Sequence, residues 1–138
     1  MEQETGITLD QFLDRISERT GLDRDAALRA AEAVLEVLAI RITAGQAEDI
    51  AALLPPELRP AIERGIAARG RSAVPLSDDT FVVEVAGREP ASRAQAVDHI
   101  RAVFNALRET LPQKEWSDTI AQLPDEYRPL MRSDKSGL

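Results

Sequence analysis

Apolar residues along this chain recur at steps of three and four, the spacing that lines up one face of an α-helix. Leu9, Phe12, Leu13 and Ile16 make the first such face, which Thr8 with Gln11 opens as a capping box and Gly21 closes. Asp23 starts a longer helix, whose stripe is Leu28, Ala31, Leu35, Leu38 and Ile42. Thr43 with Gln46 forms another capping box. It predicts a short helix with Ala47, Ile50, Ala51 and Leu54 inward, stopped at Pro55 and Pro56 because proline has no amide for the next turn. A last helix of this group holds Leu58 and Ile62.

The same plan then returns. Sliding the chain by 69 positions lays Phe12 on Phe81 and Arg59-Pro60 on Arg128-Pro129 without a gap. Between 12–62 and 81–131, 14 of 51 aligned positions are identical, where about three or four would coincide by chance. The second copy predicts a short helix with Phe81, Val82 and Val85 inward, ended by Gly87 and Pro90. A long helix follows, opened by Ser92 with Gln95 and striped by Val97, Ile100, Val103 or Phe104, Leu107 and Leu111. After Pro112, Trp116, Ile120 and Leu123 face inward, and Tyr127, Leu130 and Met131 end the core. The run from Phe81 to Val85 would suit a strand on β-branched content alone; its match to Phe12–Ile16 favours helix, and the length of that helix over 81–89 stays open.

These patterns predict an all-α protein of two tandem homologous units, each of three to four helices, packed into one compact bundle. The first unit spans 8–64 and the second 80–131; 65–79 reads as an exposed linker, helical to about Arg69, and 132–138 as a flexible tail with little to bury. Alanine at 21 positions with aromatics at only 4% suits closely approaching helices better than a sheet.

The run FLDRISERTG from Phe12 to Gly21, the Ala33-Val34-Leu35 block of the long helix and the closing QLPDEYR of Gln122 to Arg128 resemble the bacterial family called domain of unknown function 2267. The resemblance covers about residues 8–131. It implies a small all-helical cytosolic protein with two related halves, no established activity, and no catalytic residues to carry over.

Composition narrows the chemistry. The 138 residues contain no cysteine, which removes disulfides, thiolate nucleophiles, cysteine-ligated zinc and iron–sulfur clusters. A chain of this length buries about two thirds of its surface without such staples. The net charge of -7 opposes a phosphate backbone, so nucleic acid is not an expected main partner. The acidic start, Met1 to Gly6, lacks the basic and apolar parts of a secretory signal, and no apolar run reaches the length of a bilayer span. A cytoplasmic protein off the membrane is expected.

Several residues invite a chemical role. Asp49, Glu57 and Arg59 recur as Asp118, Glu126 and Arg128, which suggests paired carboxylates or a cation site. A structural brace is favoured: each glutamate follows a helix-stopping proline, where it can take free amides, and each arginine can reach back to Asp49 or Asp118. His99 is the single histidine; neither Asp nor Glu stands three or four residues away, so a surface or half-buried place without chemistry is expected, as for its counterpart Ala30. His99→Ala should then change stability little, whereas Leu123→Ala should cost about 2 to 5 kcal/mol. Trp116 and Tyr127 stand where the first unit has Ala47 and Leu58. Core filling is favoured for them over an apolar patch that a partner would cover. Arg59, Arg64, Arg69 and Arg71 form the one net-basic stretch, and a solvated linker is favoured there over a phosphate or acidic-surface contact.

No phosphate loop or calcium loop occurs, and no cofactor or metal is expected. The expectation is a non-catalytic interaction or scaffold module that binds a protein partner or itself, with Trp116, Tyr127, Arg64, Arg69 and Arg71 as the residues a partner would meet. The alternative is a small-molecule or metal-dependent enzyme with its site between the two repeats.

Overall fold

Thr8 opens the first helix in the manner its spacing predicts: its hydroxyl accepts the Gln11 amide at 3.1 Å, and Gln11 Oε1 takes the Thr8 amide at 2.9 Å. Helix α1 runs Leu9–Thr20 and ends at Gly21, whose φ of 78° is the left-handed conformation that glycine adopts without a Cβ clash. Asp23 caps α2, Arg24–Arg41. Thr43 caps α3, Ala44–Leu53; a 3-10 segment, Pro56–Leu58, follows the two prolines and leads into α4, Arg59–Arg69. Ser77 caps α5, Asp78–Arg88, and Ser92 with Gln95 caps α6, Arg93–Thr110, by a full capping box. Helix α7, Gln113–Ile120, and a second 3-10 segment, Asp125–Met131, complete the fold. The structure, a computed structural model, describes residues 7–70 and 72–132, and among them there is no strand. The expected flexible tail lies, apart from Arg132, outside the described residues.

The open question over 81–89 resolves as helix. Phe81, Val82 and Val85 are buried in α5 while Val83 faces outward. The helix expected to about Arg69 ends there, but Gly65 and Arg69 are buried in it rather than part of an exposed linker, and α5 begins at Asp78, just before the expected end of the linker at 79. Elements recur at a constant offset, since α2 and α6 start at Arg24 and Arg93, α3 and α7 at Ala44 and Gln113, and the 3-10 segments at Pro56 and Asp125.

One apolar cluster joins all seven helices. Helix α1 packs on α6 as well as on its neighbour α2, and α5 packs on α2 as well as on α6. The long helices also touch each other, as do α3 and α7. Helix α4 lies closely along α2, and Gly65 permits the approach: a Cβ there would stand 2.3 Å from the Glu36 carbonyl oxygen and 2.7 Å from the Ala39 Cβ. Among the described residues no comparable helix lies along α6, against which the 3-10 segment Asp125–Met131 packs.

Side-chain hydrogen bonds knit the halves. Gln46 does not complete the expected capping box. Its Nε2 donates instead to Glu115 Oε2 at 2.7 Å and Thr119 Oγ1 at 3.0 Å on α7. The amide that Gln46 leaves open, on Thr43, is taken by Oε1 of Gln122 at 2.8 Å, so the start of α3 is capped from the far end of the chain.

Candidate functional site

The corner after α5 places Glu89, the most buried acidic residue among the described residues. Glu89 follows the last residue of α5, and its amide donates to the Val85 carbonyl at 3.1 Å. Its carboxylate turns inward against α6, where His99 stands in the second turn after the Ser92 cap. Both oxygens approach His99 Nδ1, at 2.8 and 2.9 Å. Glu89 is 7% exposed and His99 9%. A carboxylate accepts, so Nδ1 carries a proton and donates it to Glu89.

His99 also lines a cleft of about 530 Å3 between the end of α1 and the outer side of α6. Glu18, Arg19, Thr20 and Leu22 line it from the α1 side; Gln95, Asp98, His99, Arg101, Ala102 and Asn105 line it from α6, and Arg132 lines it as well. Several polar groups of the cleft are already committed to the fold. Thr20 Oγ1 donates to the Ile16 carbonyl at 2.8 Å and accepts the Leu22 amide. Asn105 Nδ2 donates to the Arg101 and Arg132 carbonyls at 2.8 and 2.7 Å, and its Oδ1 accepts from Arg108. Arg19 is turned to Glu109 at 3.3 Å, and Arg101 Nε donates to the Pro129 carbonyl at 2.9 Å. Glu18 and Asp98 are exposed and have no hydrogen bond or ion pair among the described residues. The described residues include no group of three or more His, Asp and Glu placed to hold a metal ion.

The expected surface or half-buried place for His99 is therefore corrected: it is buried and has a carboxylate partner, and Ala30 is fully buried as well. Its partner Glu89 was missed because it lies ten residues back across a proline corner, a separation that no helical spacing rule selects. Trp116 and Tyr127 do not present a partner surface. Tyr127 is fully buried, and its hydroxyl donates to the Leu76 carbonyl at 2.6 Å. Trp116 meets Phe104 edge-on at 6.0 Å, Phe104 meets Phe81 at 5.9 Å, and Phe81 meets Tyr127 at 5.4 Å, so the bulkier residues of the second half form a chain of rings in its core.

The basic stretch also divides. Arg64 is exposed and pairs with Glu36 at 3.2 Å. Arg69 is buried rather than solvated: it donates to the Ala39 carbonyl at 3.1 Å and to the Ile42 carbonyl, satisfying the end of α2. Arg71 lies outside the described residues. Arg59 Nε donates to the Ala51 carbonyl at 3.1 Å, not to Asp49. Asp118 pairs with Lys114 at 2.8 Å, and Arg128 stands 3.6 Å from Asp125. Glu126 does take an amide at a helix start, but that of Asp78 in α5 at 3.2 Å and not one in its own segment. Arg59 and Glu126 thus bridge corners with partners other than those their spacing suggests, Asp118 and Arg128 pair within their own segments, and none of the six repeated residues lines the cleft.

Residues 9–130 match the family model described as Uncharacterized conserved protein (DUF2267). The chain belongs to the DUF2267 family. Among curated proteins no relative matches it. Of this DUF2267 chain, the described residues contain no helix long and apolar enough to cross a membrane. A second concavity of about 480 Å3 lies between α3 and α4, where Ala51, Ala52, Ile62, Ile66 and Ala67 are flanked by Glu48 and Glu63. The large apolar side chains exposed among the described residues are Leu53 and Val83, on α3 and α5.

Proposed function

We propose that this protein is a non-catalytic binding module built from two copies of one helical unit, 8–64 and 80–131, with its ligand-facing site in the cleft between them. The duplication is supported by the constant 69-residue offset of the elements and by pairs that repeat at that offset: Arg24 with Asp10, and Arg93 with Asp79. Gln46 bonding Glu115, its own counterpart at that offset, is the contact expected on a pseudo-twofold axis.

The observation that carries the non-catalytic reading is the commitment of the cleft's hydroxyl and amide groups to the backbone. Thr20 and Asn105 are spent on capping carbonyls and amides, so no nucleophile stands ready beside His99. The scatter of large exposed apolar side chains favours a polar or small-molecule ligand over an obligate apolar interface. With Arg69 buried and Arg64 paired, a basic surface for nucleic acid is not favoured either. We take its setting to be the cytoplasm, since a fold with no cysteine needs no oxidising compartment.

The enzyme reading rests on one feature, the Glu89–His99 pair, whose carboxylate orients an imidazole as it does in general-base sites. A thermal-shift screen of small molecules, followed by mass spectrometry of each stabilising compound, separates the two. Binding predicts that compounds which raise the melting temperature are recovered unchanged. Recovery of a chemically altered compound, abolished by His99→Gln, would replace the binding module with an enzyme.

A further inference from the structure

The groove between α3 and α4 shares no lining residue with the α1–α6 cleft. Ala51 and Ala52 from α3 and Ile62 and Ile66 from α4 make its floor apolar, and the alanines leave room for another helix to approach. Three charged residues line it as well, Glu48, Arg59 and Glu63. They are opposite in sign, yet they do not pair with one another. Glu48 and Glu63 are exposed and make no hydrogen bond or ion pair among the described residues. Arg59 is exposed too; its Nε donates to the Ala51 carbonyl at 3.1 Å, and its Nη groups have no partner among the described residues. Arg59 and Glu63 stand four residues apart on one helix with the cation nearer the N-terminus, which is the less favourable order for such a pair.

The order of these charges along the groove decides what fits it. Arg59 is the first residue of α4 and, through its bond to Ala51, marks the end of the groove nearest the turn that joins the two helices. Glu63 on α4 and Glu48 on α3 lie about one helical turn further from that turn. A partner of one charge sign would be attracted at one level and repelled at the other. A second copy of the chain, related by a twofold axis across the groove between the two levels, meets no such conflict. It sets each Arg59 against the other copy's Glu48 and Glu63 and closes the two apolar floors on each other. We propose that the α3–α4 groove is a self-association surface, through which two copies of this protein form a reversible twofold dimer. The floor is short and exposed ion pairs add little, so a dissociation constant of roughly 10 to 100 μM is expected.

Analytical ultracentrifugation of the full chain between about 5 and 500 μM brackets that constant, and the weight-average mass should climb from that of one chain toward that of two. Ala52→Glu puts a charge on an exposed position of the floor and should abolish the climb, with an unchanged circular dichroism melt. The charge pattern is tested by two variants whose rims carry one sign each: Glu48→Arg with Glu63→Arg leaves only cations, and Arg59→Glu leaves only carboxylates. Each should weaken self-association by about tenfold or more, and their equimolar mixture should recover the dimer, because each rim then meets its opposite. Ala52→Glu and the basic variant alter exposed side chains that hold no bond in the fold, so they decide the question even if losing the Arg59–Ala51 bond lowers the stability of the acidic variant. A mass that stays at one chain throughout would overturn the proposal and leave the groove to a foreign partner. A dimer that survives both Ala52→Glu and the basic variant, or folded charge variants that associate no better mixed than apart, would overturn it as well and place self-association on another surface.

Discussion

Among the described residues the Glu89 carboxylate has one side-chain partner, His99, which both of its oxygens meet. Burying a charged group costs several kcal/mol unless it is paired, and removing one partner leaves that cost uncompensated. His99→Ala should therefore destabilise the protein by about 3 kcal/mol, read from the midpoint of urea unfolding, and Glu89→Gln with the histidine retained should cost less. A change below about 0.5 kcal/mol, the ordinary surface value, would return His99 to the half-buried place its sequence context predicts. That prediction was misled by local spacing, because the partner sits ten residues back across the corner at Pro90. Tyr127 provides a second residue-scale test. Burial pushes its phenol up to about 12, against a value near 10 in water, with Arg41 pulling the other way. The folded state thus favours the neutral phenol. Its contribution is intact below pH 10 and is lost as pH rises from there toward 12, a fall of the order of 2 to 3 kcal/mol. Tyr127→Phe should start lower by about 1 kcal/mol for the lost bond to the Leu76 carbonyl. It should then show a flatter decline in denaturant midpoint across that alkaline window. Parallel curves for the two proteins would assign the decline to other groups.

At the scale of elements, local signals were legible where the physics is local. Thr8–Gln11 and Ser92–Gln95 form full capping boxes, Gly21 is a left-handed cap, and the prolines stop helices where they stand. Thr43–Gln46 shows where such signals end. Its residue types match the motif, but a glutamate on α7 outcompetes the local amide for the Gln46 side chain. The same contrast separates two glycines within helices. In Gly65→Ala the new methyl would meet backbone of α2, which cannot swing aside as a side chain would. Helix α4 must lift from α2, at about 3 kcal/mol, against a helix-propensity gain of about 1 kcal/mol. In Gly87→Ala nothing lies within 4 Å of the added carbon, and only the propensity gain of about 0.5 to 1 kcal/mol remains. Thermal unfolding should show the first variant losing stability and the second gaining it. The same sign for both would mean that α4 does not sit against α2 at this distance. Nothing in the residue type or its neighbours along the chain distinguishes the two positions; the difference exists only once α2 and α4 cross.

The whole molecule depends on contacts that the repeat pattern could not reveal. Similar sequences 69 residues apart suggest two units that each close on themselves, yet α1 lies on α6 and α5 on α2, so the first helix of each half is shared with the other. Phe12, Leu13 and Ile16 bury their side chains in a core to which Ile100, Val103 and Leu107 also belong. The Gln46 and Gln122 bonds cross the same boundary; the Gln46 side-chain amide is buried, and leaving such a group unsatisfied costs about 1 to 3 kcal/mol. A fragment of 1–71 would expose the faces of α1 and α2 that meet α5 and α6, and a half of this size has little margin to lose. It should therefore show weak helical circular dichroism and no cooperative melt when alone. Mixed with a fragment of 72–138 at equal concentration, it should regain both, with a melting temperature that rises with total concentration, as mass action requires of a folded pair. If 1–71 melts cooperatively by itself at a concentration-independent temperature, each half is an autonomous domain. The cleft between α1 and α6 would then be a seam between two finished units rather than a feature of one core.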